Sequence, residues 1–204
     1  MTAASVVLVH GAWHGAWCWD AVIPLLRDAG VAVVAVDLPG HGDDRQPLAD
    51  LHGDAGKVRS VLDEVEGPVV LVGHFYGGAV ITEAGLHPAV ERLVYIAAFN
   101  LDEDEAVGRA ATREADTASI DHSDRPDLGA ALRSDDEGRT TTIATERAAE
   151  ILYNDCSALV APGQSQIRAE GRSARQIRER PQPRMAISST VCCSGSSSCR
   201  AVAT

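Results

Sequence analysis

Apolar residues alternate between two rhythms along the first half of this chain. Residues 5–9 form a short, largely β-branched run, which predicts a buried strand. Val22, Leu25, Leu26 and Ala29 then fall at helical spacing within residues 19–29, and Gly30 supplies a stop. A second apolar run covers 31–36 and ends in the turn-rich Asp37-Leu38-Pro39-Gly40-His41-Gly42-Asp43. Val58, Val61, Leu62 and Val65 predict a helix over 55–66, which Gly67-Pro68 breaks. Val69-Val70-Leu71-Val72 predicts a third strand, and the apolar segment after Gly78 predicts a helix that closes at His87-Pro88. Residues 93–97 predict a fourth strand.

Strands alternating with helices predict an α/β fold with a parallel, doubly wound sheet. In such sheets ligands are handled at the carboxyl ends of the strands. The two most distinctive loops, after Val9 and after Val72, both fall at those ends.

The pattern changes later in the chain. Residues 100–155 are acidic and weakly periodic, with 147–153 the best helical segment, and predict a helical cap-like insertion. From Cys156 onward Arg, Ser, Gln, Gly and Pro dominate, and 185–193 is at most a weak strand. Charge reverses at the same place: 27 acidic and 11 basic residues precede Cys156, whereas 2 acidic and 7 basic follow. The chain thus divides into a core over 1–99, the insertion over 100–155 and a divergent tail over 156–204. A shifted reading frame past codon 156 and a basic, disordered extension both account for that tail.

A hydrophobic content of 45% excludes global disorder, and a net charge of −11 disfavours a nucleic-acid partner. No apolar run approaches the roughly 20 residues that span a bilayer, so no membrane is expected. No basic leader precedes an apolar stretch, and a cytoplasmic protein is expected. Cys18 and Cys156 are isolated while Cys192, Cys193 and Cys199 crowd together, which is neither a disulfide framework nor zinc spacing. No cofactor and no metal are expected.

Gly73-His74-Phe75-Tyr76-Gly77-Gly78 follows the third strand. Its glycines permit a sharp strand-to-helix turn and close helix–strand approach. This is the layout of a nucleophile elbow, which holds a reactive side chain up at the end of a sheet. Its central residue, Phe75, carries a benzyl group that cannot attack a carbonyl.

Three stretches together, Leu8-Val9-His10-Gly11-Ala12-Trp13-His14-Gly15-Ala16-Trp17-Cys18-Trp19-Asp20, Asp37-Leu38-Pro39-Gly40-His41-Gly42 and Val72-Gly73-His74-Phe75-Tyr76-Gly77-Gly78, resemble the α/β-hydrolase superfamily. They are most similar to its small esterase branch of methyl-salicylate-type esterases and hydroxynitrile lyases. The resemblance covers residues 5–155 and implies a three-layer α/β-hydrolase fold, here incomplete at the C-terminal edge of the sheet. It implies an oxyanion hole built from the backbone amides of Ala12 and Tyr76, with His10 and Gly11 in the turn and His74 a packed, hydrogen-bonded flank. It also implies a Ser nucleophile where Phe75 stands, and a later Asp and His. After Asp155 the chain has no Asp, its last His is His122, and Glu170 and Glu179 are the only late acids.

The resemblance implies a carboxylic-ester hydrolase, and the missing triad implies a catalytically impaired or inactive copy. A pseudoenzyme that binds a small aromatic or apolar ester or acid, a non-functional product of a damaged gene, and residual catalysis by the oxyanion amides are the alternatives. The oligomeric state is open, and an unpaired edge beside residues 93–97 would favour self-association. His10 and His14 have the i, i+4 spacing of paired metal ligands, but glycines in that run favour the turn. Trp13, Trp17 and Trp19 either line an acyl pocket or cover the top of a core. Residues 102–105 predict a solvated acidic surface. The Arg168, Arg172, Arg175 and Arg178 series, with few apolar partners, predicts disorder.

Overall fold

A computed structural model of the chain describes residues 4–110, 128–134 and 140–153. Four parallel strands, β1 (Ser5–Val9), β2 (Val33–Val36), β3 (Val69–His74) and β4 (Val90–Ile96), form one sheet in the order β2-β1-β3-β4. Three helices join them: α1 (Ile23–Asp28), α2 (Leu51–Glu64) and α3 (Tyr76–Ala84). After β1 the chain moves to one side of that strand and returns on the other to form β3. This reversal opens a crevice above the carboxyl ends of β1 and β3, where doubly wound sheets bind ligands.

Alternation along the strands sorts side chains into two cores. Val7, Val9, Val69 and Leu71 face α2 and α3, packing with Leu51, Val58, Leu62, Val80 and Ala84. Val6, Leu8, Val70 and Val72 face the opposite side, packing with Trp19, Ile23 and Leu26. Sheet and helices thus make three layers, and both faces of β1 and β3 are covered. That burial explains why these strands read as continuous apolar runs rather than as alternating ones.

Several boundaries differ from the expected ones. Of the 19–29 segment only Ile23–Asp28 is helical, α1 starting with Pro24 in its first turn after a 3-10 turn at Ala16–Trp19. Helix α2 starts before the expected residue 55, because Asp50 caps it by accepting a bond from Gly53 N at 2.9 Å. That signal is a single polar residue upstream of the apolar periodicity. Strand β2 is shorter than its apolar run, and β4 starts at Val90, earlier than residue 93.

The insertion is not purely helical. It contains a short helix α4 (Leu128–Ala131), an antiparallel pair β5 (Leu132–Ser134) and β6 (Thr141–Ile143), and helix α5 (Thr145–Leu152). Helix α5 matches the predicted segment. The pairing of β5 with β6 has no periodic signature at three residues a strand. The expected strand at 185–193, the 156–204 tail and the Arg series lie outside the described residues. Among the described residues β4 pairs with β3 only.

Helix α3 lies unusually close to the strands. A Cβ on Gly77 would sit 2.5 Å from Val9 O and 2.6 Å from His10 O, and one on Gly73 would sit 2.5 Å from Gly77 O. Both obstacles are backbone and cannot swing away. We expect Gly77→Ala to lower stability by at least the roughly 1–3 kcal/mol of an overpacked core. Chemical denaturation checks this, with Gly108→Ala, where a Cβ meets nothing within 4 Å, as the control.

Candidate functional site

The loops after β1, β2, β3 and β4 meet above the sheet. Three of the four non-glycine residues with positive φ among the described ones lie at these strand ends: Trp13 (60°), Phe75 (52°) and Ala97 (41°). Backbone in this region costs about 1–3 kcal/mol per residue and collects at functional sites. Phe75, at φ 52° and ψ −116°, is the hinge between β3 and α3. Its carbonyl accepts from Gly78 N at 3.1 Å and Phe99 N at 3.0 Å, tying the turn to the segment after β4. Strand β3 thus runs through Gly73 and turns sharply at Phe75 into α3, whose first turn carries Gly77 and Gly78. The Tyr76 amide opens α3, where a helix amide has no intrahelical acceptor.

His10 is fully buried and holds the turn after β1. Its Nε2 accepts from Leu38 N at 3.1 Å, so its Nδ1 carries the proton and donates to Gly11 O at 2.8 Å. Burial pushes its pKa down to about 3, assisted by the neighbouring His41, His14 and His74. Asp37, at the end of β2, clasps the same turn: its carboxylate accepts from Ala16 N at 2.6 Å and Asp43 N at 3.1 Å. The Asp37 clasp escapes sequence reasoning, since its only signal is an acid opening a Gly-Pro-rich loop.

His74 packs edge-on to His14 (6.0 Å) and to Trp19 (6.3 Å), and burial takes its pKa down to about 4. His14 bonds to Ala12 O through Nδ1 and to the Tyr153 hydroxyl through Nε2, both at 2.8 Å. With the ring nitrogens of His10 and His14 taken by different partners, the two do not form a shared metal site. The tryptophans separate as well. Trp13 joins the cap, its indole N–H donating to Thr141 Oγ1 at 3.3 Å, Trp17 stacks on His14 at 5.4 Å, and Trp19 enters the core on the far face of the sheet. They are not one acyl pocket.

Phe75 turns toward the cap. Its ring lies 5.9 Å from Trp13 and 5.2 Å from Phe99, within an apolar cluster that includes Ile143, Ala148, Leu128 and Leu152. Behind the elbow, the Tyr76 hydroxyl donates to Oδ2 of buried Asp54 on α2 at 2.7 Å. Oδ1 of Asp54 is buried without a partner, and burial pushes the carboxyl up to about 7 despite the Tyr76 bond. Burial likewise raises the Tyr76 phenol. Sequence inspection missed this pair because the two residues lie on different helices.

A doubly wound parallel sheet, a glycine-packed elbow after the strand beside β1, and a cap over the crevice define a protein of the hydrolase type. The chain belongs to the alpha/beta hydrolase family, whose model matches residues 6–191. It is 41% identical over 106 residues to a carbendazim hydrolyzing esterase of Nocardioides sp. (strain SG-4G), a match covering 47% of this chain and 42% of that protein. It is 36% identical over 100 residues to an alpha-hydroxynitrile lyase of Arabidopsis thaliana, covering 46% and 39%. The matched stretches span less than half the length of these curated relatives. The solved pyrethroid hydrolase from Sphingobium faniae JZ-2 superposes with a TM-score of 0.68 at 25% identity, covering 85% of this chain and 70% of that one. These likenesses place the chain among relatives of carboxylic-ester hydrolases. Among the described residues no helix is long and apolar enough to cross a membrane.

The buried imidazoles make stability depend on pH. His10 and His74 titrate near 3 and 4 when folded, against about 6.5 unfolded. Between those values the unfolded chain binds protons that the folded chain does not. Stability present above pH 6.5 is therefore lost on acidification, by about 1.4 kcal/mol per pH unit for His10 alone. Asp54 opposes this. Its folded pKa lies above the unfolded one, so its contribution is present below about pH 4 and lost as pH rises through about 7. We expect melting temperature to fall from pH 6.5 to 4.5, and Asp54→Asn to steepen that fall. A flat profile would contradict neutral buried imidazoles.

Proposed function

We propose that this chain is an esterase-type scaffold without a working elbow nucleophile, one that binds a small aromatic or apolar ester or acid. The observation that carries this is Phe75: at the apex of the turn, where the family resemblance implies a Ser, stands a residue with no nucleophilic atom. Its ring fills space between elbow and cap that a substrate carbonyl would need. In this reading Ala12 and Tyr76 supply main-chain oxyanion donors, which depend on the turn and not on side chains. His10 cannot serve as a base for that position, because both its nitrogens hold backbone groups. The protein is read as cytoplasmic, and the side of β4 that carries no strand partner among the described residues as a surface for self-association.

Two variants test the proposal. A serine hydroxyl needs a base within hydrogen-bond reach. Phe75→Ser should therefore give steady hydrolysis of an activated aryl ester no better than the roughly 10³–10⁴ over water that enzymes retain without a triad member. Sustained turnover at ordinary enzyme rates would overturn the proposal. Phe75→Ala should open the space and tighten binding of a small aromatic acid, as read by calorimetry. Unchanged affinity would show that the ring does not occupy the site.

A further inference from the structure

Between the turn after β1 and the end of α5 lies an array that the elbow does not use. The Tyr153 hydroxyl is 2.8 Å from His14 Nε2, and His14 Nδ1 is 2.8 Å from Ala12 O. A carbonyl can only accept, so Nδ1 carries the proton, Nε2 is the acceptor, and Tyr153 donates to it. The imidazole is fixed by stacking on Trp17 (26° between planes) and by the edge contact with His74. A hydroxyl, a base in its acceptor state and a third group orienting the base are the parts of an activated nucleophile.

We propose that Tyr153 is a nucleophile with His14 as its general base, and that the pair accepts an acyl group from activated aryl esters. In the step, Tyr153 Oη attacks the ester carbonyl while its proton passes to His14 Nε2. The carbon–aryloxide bond then breaks, and the departing aryloxide takes the proton from Nε2. One ester yields one acyl-Tyr153 and one phenol, with no other reactant consumed.

The chain has three tyrosines, and the other two are internal controls. Tyr76 donates to Asp54 beneath the elbow, and Tyr95 pairs with the Thr82 hydroxyl at 2.9 Å. Neither is paired with an imidazole in those contacts, and burial raises both phenols. The titratable groups facing His14 are His10 from the turn after β1, His41 from the loop after β2, His74 from the end of β3 and Tyr153 from the cap. Burial, with His41 adding to it, lowers the His14 pKa, which keeps the ring unprotonated at neutral pH.

The experiment is a reaction of the intact protein with p-nitrophenyl acetate, followed by peptide mapping across pH 5–10. Expected is one equivalent of p-nitrophenol, with acetyl on Tyr153 ahead of Tyr76 and Tyr95 by on the order of 10²-fold, the scale of general-base assistance. Because His14 is already in its base form, the Tyr153 rate should level off by about pH 6.5, whereas a bare phenol keeps gaining reactivity toward its pKa of about 10. Tyr153→Phe should abolish the single equivalent, and His14→Gln should reduce it while the melt stays cooperative. Equal labelling of the three tyrosines, or a Tyr153 rate that climbs steadily to pH 10, overturns the proposal without needing a variant. A stoichiometric release at Tyr153 is distinct from the sustained turnover that would overturn the reading of Phe75, so each can fail alone.

Discussion

The approach of α3 to β1 and β3 constrains everything above the sheet. Gly77 lies against the carbonyls of Val9 and His10, Gly73 against that of Gly77, and Gly78 against that of Phe99. No side chain fits at these contacts. With the helix held so near, the chain can leave β3 and enter α3 only through a sharp reversal, and Phe75 takes φ 52° to make it. The strain at Trp13 and Ala97 belongs to the same crowded rim. Core packing on both faces of the sheet supplies the free energy that holds these residues in place.

Polar groups under this rim are tied by single, specific bonds. His10 links the turn after β1 to Leu38, Asp37 links it to Ala16 and Asp43, and Tyr76 links the elbow to Asp54. The His10–Leu38 and Asp37–Ala16 bonds each join two loops, the Asp37–Asp43 bond closes one loop, and the Tyr76–Asp54 bond joins two helices. The imidazoles do this as neutral groups, because burial disfavours their charged form. The site is consequently a lattice of neutral imidazoles and backbone groups, with the carboxyl groups of Asp37 and Asp54 tied into it.

Besides the Trp13–Thr141 bond, two contacts of opposite character join the cap to this lattice. Phe75 meets it through apolar contact, within the cluster of Trp13, Ile143 and Ala148. Tyr153 meets it through a hydrogen bond to His14. The first contact occupies the space where the fold ordinarily presents a nucleophile. The second places a hydroxyl on an oriented base. The same segment thus presents an aromatic ring to the turn after β3 and a hydroxyl to the turn after β1.

Local pattern was enough for the α/β class, the parallel sheet and the sharp turn after β3. Apolar runs at 5–9 and 69–72, helical spacing in α2 and the glycines after β3 are short-range signals that need no knowledge of distant residues. The motifs at His10, Asp37 and Gly73 carried the family. Pairings between residues far apart in sequence were not legible. Tyr153 reaches back to His14, Trp13 to Thr141, and Tyr76 to Asp54. The three tryptophans look like one cluster in the sequence, yet Trp13 packs with the segment at 128–153, Trp17 stacks on His14 and Trp19 enters the core on the far face of the sheet. Local propensity depends on neighbours along the chain, whereas a buried hydroxyl takes whichever acceptor the packed elements bring to it; that choice exists only once the cap and the sheet have come together.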